Sequence, residues 1–197
     1  MSTSAVSPER RLFVLADALP GAAVRDVGLV VTGAALVGLS AQVYIPLPFT
    51  PVPVTGQTFA ALLVGAALGW QRGLASMLLY LAAGVAGVPW FAEGSSGASA
   101  PSFGYIVGFV LAAAVVGRLA SAGGDRTPLL AAALMVLGNL LIYLVGVPWL
   151  AIALGVPLDR AVALGLTPFL LGDAAKILLA AAVLPGAWRL VHRSGNR

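Results

Sequence analysis

Two ionisable residues stand inside one apolar run, Leu171-Gly172-Asp173-Ala174-Ala175-Lys176-Ile177. A carboxylate accepts hydrogen bonds from N–H groups, and an ammonium donates to carbonyl or carboxylate oxygens. On a helix, positions i and i+3 share a face, so Asp173 and Lys176 can offset each other's charge or meet one ligand together. Inside a membrane each such charge costs about 2.5–3.5 kcal/mol on insertion scales, so the first reading is a polar site facing an interior cavity. The second is an ion pair satisfied within the bundle. Gln57, Tyr80, Tyr105, Asn139 and Tyr143 are further polar candidates in apolar surroundings. Taken singly, such residues more often serve as interhelical hydrogen-bond partners than as ligand contacts. Asn139 and Tyr143 share a face at i, i+4, which makes them the better pair.

The inventory excludes several chemistries. Lys176 is the only lysine, and no Gly-x-x-x-x-Gly-Lys-Ser/Thr surrounds it, so the chain has no phosphate-binding loop and cannot be the ATPase of a pump. His192 is the only histidine and falls near the end of the chain, where a solvated residue near lipid headgroups is expected. With no cysteine there are neither disulfides nor thiolate metal sites. Asp173 has no second carboxylate, histidine or nucleophile on a facing span to complete a catalytic set, so the chain is not expected to be an enzyme. A proton-coupled secondary carrier of a small carboxylate-bearing metabolite, with Asp173 and Lys176 as the relay, is an alternative. Such carriers usually carry internal repeats, and residues 27–122 and 128–190 show none.

These side chains must be positioned by membrane helices. Of the 197 residues, 60% are hydrophobic and 9% charged, against about 25% charged in a soluble domain. With about 20 residues per crossing, the chain is expected to be an all-α bundle of six transmembrane helices, at 27–45, 57–70, 73–90, 103–122, 128–154 and 161–190. Residues 1–26 form an interfacial or cytoplasmic arm, and 191–197 a cytoplasmic tail. Arg10-Arg11-Leu12-Phe13-Val14 resembles a twin-arginine signal, but Asp17 and Pro20 interrupt the apolar stretch behind it and no cleavage site stands out. The net charge of +4 is scattered among apolar runs, which argues for orientation signals and against nucleic-acid binding. Arg10, Arg11, Arg25, Arg72, Arg118, Arg126, Arg189, Arg193 and Arg197 fall on one side of this topology and only Arg160 on the other. That bias places both termini in the cytoplasm. Trp70, Trp90, Trp149 and Trp188 lie near span ends, as interfacial belts do.

Between the first two spans runs Ile45-Pro-Leu-Pro-Phe-Thr-Pro-Val-Pro-Val-Thr-Gly-Gln57, with four prolines in eight residues. It cannot be helical and favours a stiff, extended backbone. Apolar non-helical chain at membrane depth survives only when it packs on protein or lines a cavity, so it reads as a rigid lid over an outward pocket. The turn-rich 91–102 loop lies on the same side. In the first span, Ala34-x-x-x-Gly38 is a small-xxx-small pair that permits close helix approach and is the candidate docking face for a partner.

The proline run through Ala60, Gly87-Val-Pro-Trp-Phe-Ala-Glu-Gly94, Gly104-Tyr-Ile-Val-Gly-Phe109, Ile142-Tyr-Leu-Val-Gly-Val-Pro-Trp-Leu150 and Gly172-Asp-Ala-Ala-Lys176 together resemble the BioY biotin transporters, in order, over residues 27–185. The resemblance implies the substrate-binding S component of an energy-coupling-factor transporter in the bacterial cytoplasmic membrane. Biotin would be captured from outside, and a coupling transmembrane protein and two ATPase subunits would supply the energy. No cofactor would be bound by this chain, which would sit among membrane lipids and form a homo-oligomer if it works alone. The family's biotin-binding Asp and Lys fall on Asp173 and Lys176. The loop after the third helix also contributes in the family, which brings Trp90 and Phe91 into the candidate site. Here that loop reads Glu-Gly-Ser-Ser-Gly, where glycine-rich variants with Asn or Lys are usual.

Overall fold

The computed structural model describes residues 13–19 and 23–195. Arg10, Arg11 and Pro20 lie outside the described residues, and with them the twin-arginine resemblance. Seven α-helices are described: α1 Ala23–Ala41, α2 Gln57–Leu68, α3 Trp70–Val85, α4 Phe103–Ser121, α5 Pro128–Leu154, α6 Leu158–Gly165 and α7 Leu170–Gly195. Among the described residues four stretches are long and apolar enough to cross a membrane: Ala23–Ala41, Phe103–Ser121, Pro128–Leu154 and Leu158–Arg193.

α4 is the centre of the bundle. It packs on α2, α3 and α5, and Ala112, Ala113, Val116 and Ala120 on it are fully buried. Small residues allow this: a Cβ on Gly117 would lie 2.6 Å from the Gly69 carbonyl carbon and the Trp70 nitrogen, so α4 presses backbone to backbone against the α2–α3 junction. At that junction Gly69 has φ 82° and ψ 174°, a conformation open to glycine, and it turns the chain directly into α3.

The helix boundaries correct the expected spans in three places. α1 begins at Ala23, four residues before the expected start, and ends at Ala41. The break after α2 falls at Gly69, and Gln71 and Arg72 belong to the first turn of α3. Polarity suggested an interruption at 71–72, but the dihedral demand at Gly69 decides it. The expected sixth span at 161–190 is two helices, α6 and α7, parted by a 3-10 turn at Thr167–Phe169 whose Pro168 cannot continue the α6 ladder. α5 matches its expected bounds because both ends are signalled: Thr127 Oγ1 accepts from Leu130 N–H at 3.3 Å, Pro128 is the first helical residue, and Gly155 closes the helix at φ 65°.

The proline run folds back as a hairpin. β1 Tyr44–Ile45 pairs antiparallel with β2 Val54–Thr55, in the register Tyr44↔Thr55 and Ile45↔Val54. The ladder ends where prolines remove the donors. This hairpin end of the bundle also holds the 91–102 loop and α6. The opposite, terminal end gathers residues 13–19, the α4–α5 loop and the end of α7. There Asp17 bonds Arg72 at 3.1 Å, Arg72 also meets Asp26 at 3.1 Å, and Arg126 donates to the Phe13 carbonyl at 3.4 Å. Val14 and Ala16 are buried, so this part of the arm packs on the bundle. Trp188 donates to the fully buried Asp125 at 2.7 Å and carries the Arg126 guanidinium 3.5 Å above its ring. Burial holds the Asp125 carboxyl above the usual carboxylate range, against the opposing pull of Trp188 and Arg126.

Candidate substrate-binding site

Beneath the hairpin lies a cavity with about 620 Å³ of atom-free space, its outer part open to solvent. α7 supplies its charged wall. Asp173 is 5% exposed, and Lys176, one turn on, turns its ammonium to the same side. Tyr143 on α5 donates to Asp173 Oδ2. Lys176 Nζ lies 3.5 Å from Asp173 Oδ1 and donates to Thr58 Oγ1 on α2 at 2.8 Å. Three helices therefore meet at one pair of charges. Most of the remaining wall is apolar, with Val52 and Pro53 from the hairpin, Ile106 and Phe109 from α4, and Phe169 from the turn before α7.

Six of the nine candidate binding residues line this cavity: Asp173, Lys176, Tyr143, Gln57, Tyr105 and Phe91. Tyr105 is held by its hydroxyl, which donates to the Gly165 carbonyl at 2.7 Å, and it meets Tyr143 edge to face at 6.2 Å. Gln57 accepts from Thr55 Oγ1 at 3.1 Å and donates to the Tyr80 hydroxyl.

Tyr80, Trp90 and Asn139 do not line it. Tyr80 is fully buried behind Gln57. Its hydroxyl donates to the Trp90 carbonyl at 3.2 Å, and the Trp90 indole returns a bond to the Tyr80 carbonyl at 3.0 Å. Together they brace the loop that presents Phe91. Asn139 donates to the Met135 carbonyl at 3.1 Å and borders a separate small void on the far side of Lys176. Asn139 and Tyr143 share a helix face at i, i+4, but Tyr143 lines the cavity and Asn139, one turn earlier, backs it.

The expected docking face on α1 is also corrected. Ala34 is 1% exposed, and a Cβ on Gly38 would come within 3.0 Å of the Trp90 ring. This small-residue pair lets α1 approach α3 and the Trp90 loop inside the chain, and it presents nothing outward.

Sequence reasoning missed Thr58, Val52, Phe109 and Phe169, all of which line the cavity. Val52 carried a signal, as an apolar residue in a non-helical run. Thr58 carried none, because a lone threonine in a helix first turn is ordinary. Ser95 lines the cavity too, although its hydroxyl is spent on the Ala92 carbonyl at 2.7 Å.

A bundle of apolar helices around a buried, charged and capped cavity defines a membrane protein built to hold a small solute. The BioY family profile matches residues 9–193, and the chain belongs to the BioY family. A protein of Lysinibacillus sphaericus described as a probable biotin transporter BioY is 38% identical over 128 residues, 64% of either chain. Biotin transporter BioY2 of Lactococcus lactis is 36% identical over 154 residues, covering 77% of this chain and 83% of that one. The fold is similar to the crystal structure of the S-component for biotin from an ECF-type ABC transporter, with a TM-score of 0.74, 23% identity, and 84% and 92% of the two chains covered. The relatives are transporters, and the chain stands with them and not with enzymes.

Proposed function

We propose that this chain captures biotin at its hairpin end as the S component of an energy-coupling-factor transporter. The observation that carries the reading is the Asp173–Lys176 pair, set in an otherwise largely apolar cavity and pinned by Tyr143 and Thr58. Biotin offers two ureido N–H donors, a ureido oxygen and a tail carboxylate. Asp173 suits the donors, and Lys176 suits either oxygen. The fused rings and aliphatic tail suit walls such as Ile106, Phe109 and Phe169. The relatives described as biotin transporters support the same ligand.

Six crossings, by α1, α2, α3, α4, α5 and α7, follow from this reading. α2 has 12 residues, too few at 1.5 Å each for a core of about 30 Å. The hairpin and the bend at Gly69 complete its passage, and α4 shields it from lipid. Arg25, Arg72, Arg118, Arg126, Arg189 and Arg193 belong to the terminal end, a bias that supports a cytoplasmic position for it. A coupling transmembrane protein and two ATPases would energise release. With Ala34 and Gly38 turned inward, the partner would meet the outward face of α1, where Val31, Leu36 and Leu39 are exposed. The test is radiolabelled biotin binding to the purified chain in detergent without nucleotide. Saturable binding that unlabelled biotin displaces is expected; its absence refutes the reading.

A further inference from the structure

The charged pair is held from two sides, and its two holders do different work. Tyr143 commits Asp173 Oδ2. Among the described residues Asp173 Oδ1 receives only the Lys176 ammonium, at 3.5 Å, well beyond the 2.7–2.9 Å of a charge-assisted hydrogen bond. The same ammonium reaches Thr58 Oγ1 at 2.8 Å, within that range. So the ammonium leans across to α2 and away from the carboxylate three residues before it on its own helix. An ammonium has three donors, and this geometry leaves donor capacity, together with Asp173 Oδ1, for whatever enters the cavity that all three residues line.

We propose that Thr58 is a positioning residue for Lys176: its hydroxyl holds the ammonium off Asp173 so that both charges stay open to the bound solute. The proposal rests on the biotin reading and deepens it. With the hydroxyl removed, Asp173 Oδ1 is the acceptor left to the ammonium. Closing from 3.5 Å to about 2.8 Å strengthens the attraction by about a quarter, since it scales inversely with distance. The collapsed pair satisfies itself, and a ligand must then part it before binding. Threonine suits this task because its β-branch restricts χ1, so the hydroxyl has few directions open to it from the first turn of α2.

The test compares Thr58→Val, which keeps the shape and removes the hydroxyl, with Thr58→Ser, which keeps the hydroxyl and removes a methyl. Biotin dissociation constants are measured by calorimetry on each purified chain, with melting temperature as the fold check. The valine variant is expected to bind about tenfold more weakly, on the scale of one hydrogen bond to a charged group, and the serine variant within about threefold of wild type. A packing role for Thr58 predicts the reverse order, because valine preserves the packing and serine does not. If valine prevents folding, Thr58→Ala takes its place in the same comparison with serine. Valine (or alanine) binding within about threefold of wild type, or serine binding no better than that variant, overturns the proposal. If wild type itself fails to bind biotin, the functional reading falls and takes this one with it; if wild type binds and the hydroxyl proves irrelevant, only this one falls.

Discussion

Consider Asp173→Asn and Lys176→Met, alone and together. In Asp173→Asn the Tyr143 hydroxyl still finds an amide oxygen, but the largely buried Lys176 loses its counter-charge. At 3.5 Å and an effective dielectric of about 20, the attraction lost is about 5 kcal/mol before desolvation is set against it. Removing one partner of a buried pair costs a net of about 3–5 kcal/mol, so each single variant should unfold at markedly lower temperature. The double variant carries no unpaired charge and should recover most of that stability. Its binding should not recover. Two charge-assisted hydrogen bonds to biotin, each worth about 1.5–3 kcal/mol, correspond to a loss of at least about a hundredfold in affinity. Thermal unfolding and biotin titration on the same detergent-purified samples separate the two effects. A well-folded double variant with near-native affinity would refute the assignment of this pair to the site and leave it a structural ion pair.

Gly165→Ala should both destabilise the chain by about 1–3 kcal/mol and weaken biotin binding, because the added Cβ would lie 2.2 Å from the Tyr105 hydroxyl and drive that ring towards the cavity; unchanged melting and affinity would contradict the tight Tyr105–Gly165 contact. Gly38→Leu should sharply reduce the yield of monodisperse protein on size-exclusion chromatography, since Trp90 occupies the space; a normal yield would return that face to the list of docking surfaces. Burial raises the Asp125 carboxyl above its ordinary value, so its contribution to stability is fullest below an unfolded carboxyl pKa of about 4 and is lost as pH rises through the folded value. The melting temperature of Asp125→Asn relative to wild type should therefore climb as pH rises above about 4, and a flat difference would show that Asp125 ionises in the fold without penalty.

The fold is legible in the sequence where a single residue type forces the outcome. Four prolines forbid a helix, and the hairpin stands where they do. Thr127-Pro128 and Gly155 bracket α5, and both bounds agree. The Asp173–Lys176 pair was legible because charge inside an apolar run is costly anywhere. What escaped was decided by geometry that no local pattern encodes. The α2–α3 break depends on the φ of Gly69, and glycine is common throughout this chain, so nothing marked that one. Ala34 and Gly38 look like an outward docking face in the sequence because small residues signal close approach without saying to what. Here the neighbour is Trp90 of the same chain.

Two of the candidates that back the cavity without lining it, Tyr80 and Trp90, show how the site is built in depth. Tyr80 and Trp90 exchange bonds through each other's carbonyls, and Tyr80 also takes the Gln57 amide donor. Phe91 packs edge-on against Tyr80 at 5.2 Å and faces the cavity. Gln42 at the end of α1 donates to the Trp90 and Phe91 carbonyls at 3.2 and 3.3 Å. The loop bearing Phe91 is thus tied to α1, α2 and α3 at once. The charged wall is likewise tied to α2 and α5, through Thr58 and Tyr143. α2 is common to both sets, and Gln57 and Thr58 are adjacent in its first turn, directly after β2. Any movement of the proline hairpin that rotates this turn would act on the Phe91 loop through Gln57 and on the Lys176 ammonium through Thr58. The Phe91 loop and the charged wall therefore share a mount in two consecutive residues of α2, Gln57 and Thr58.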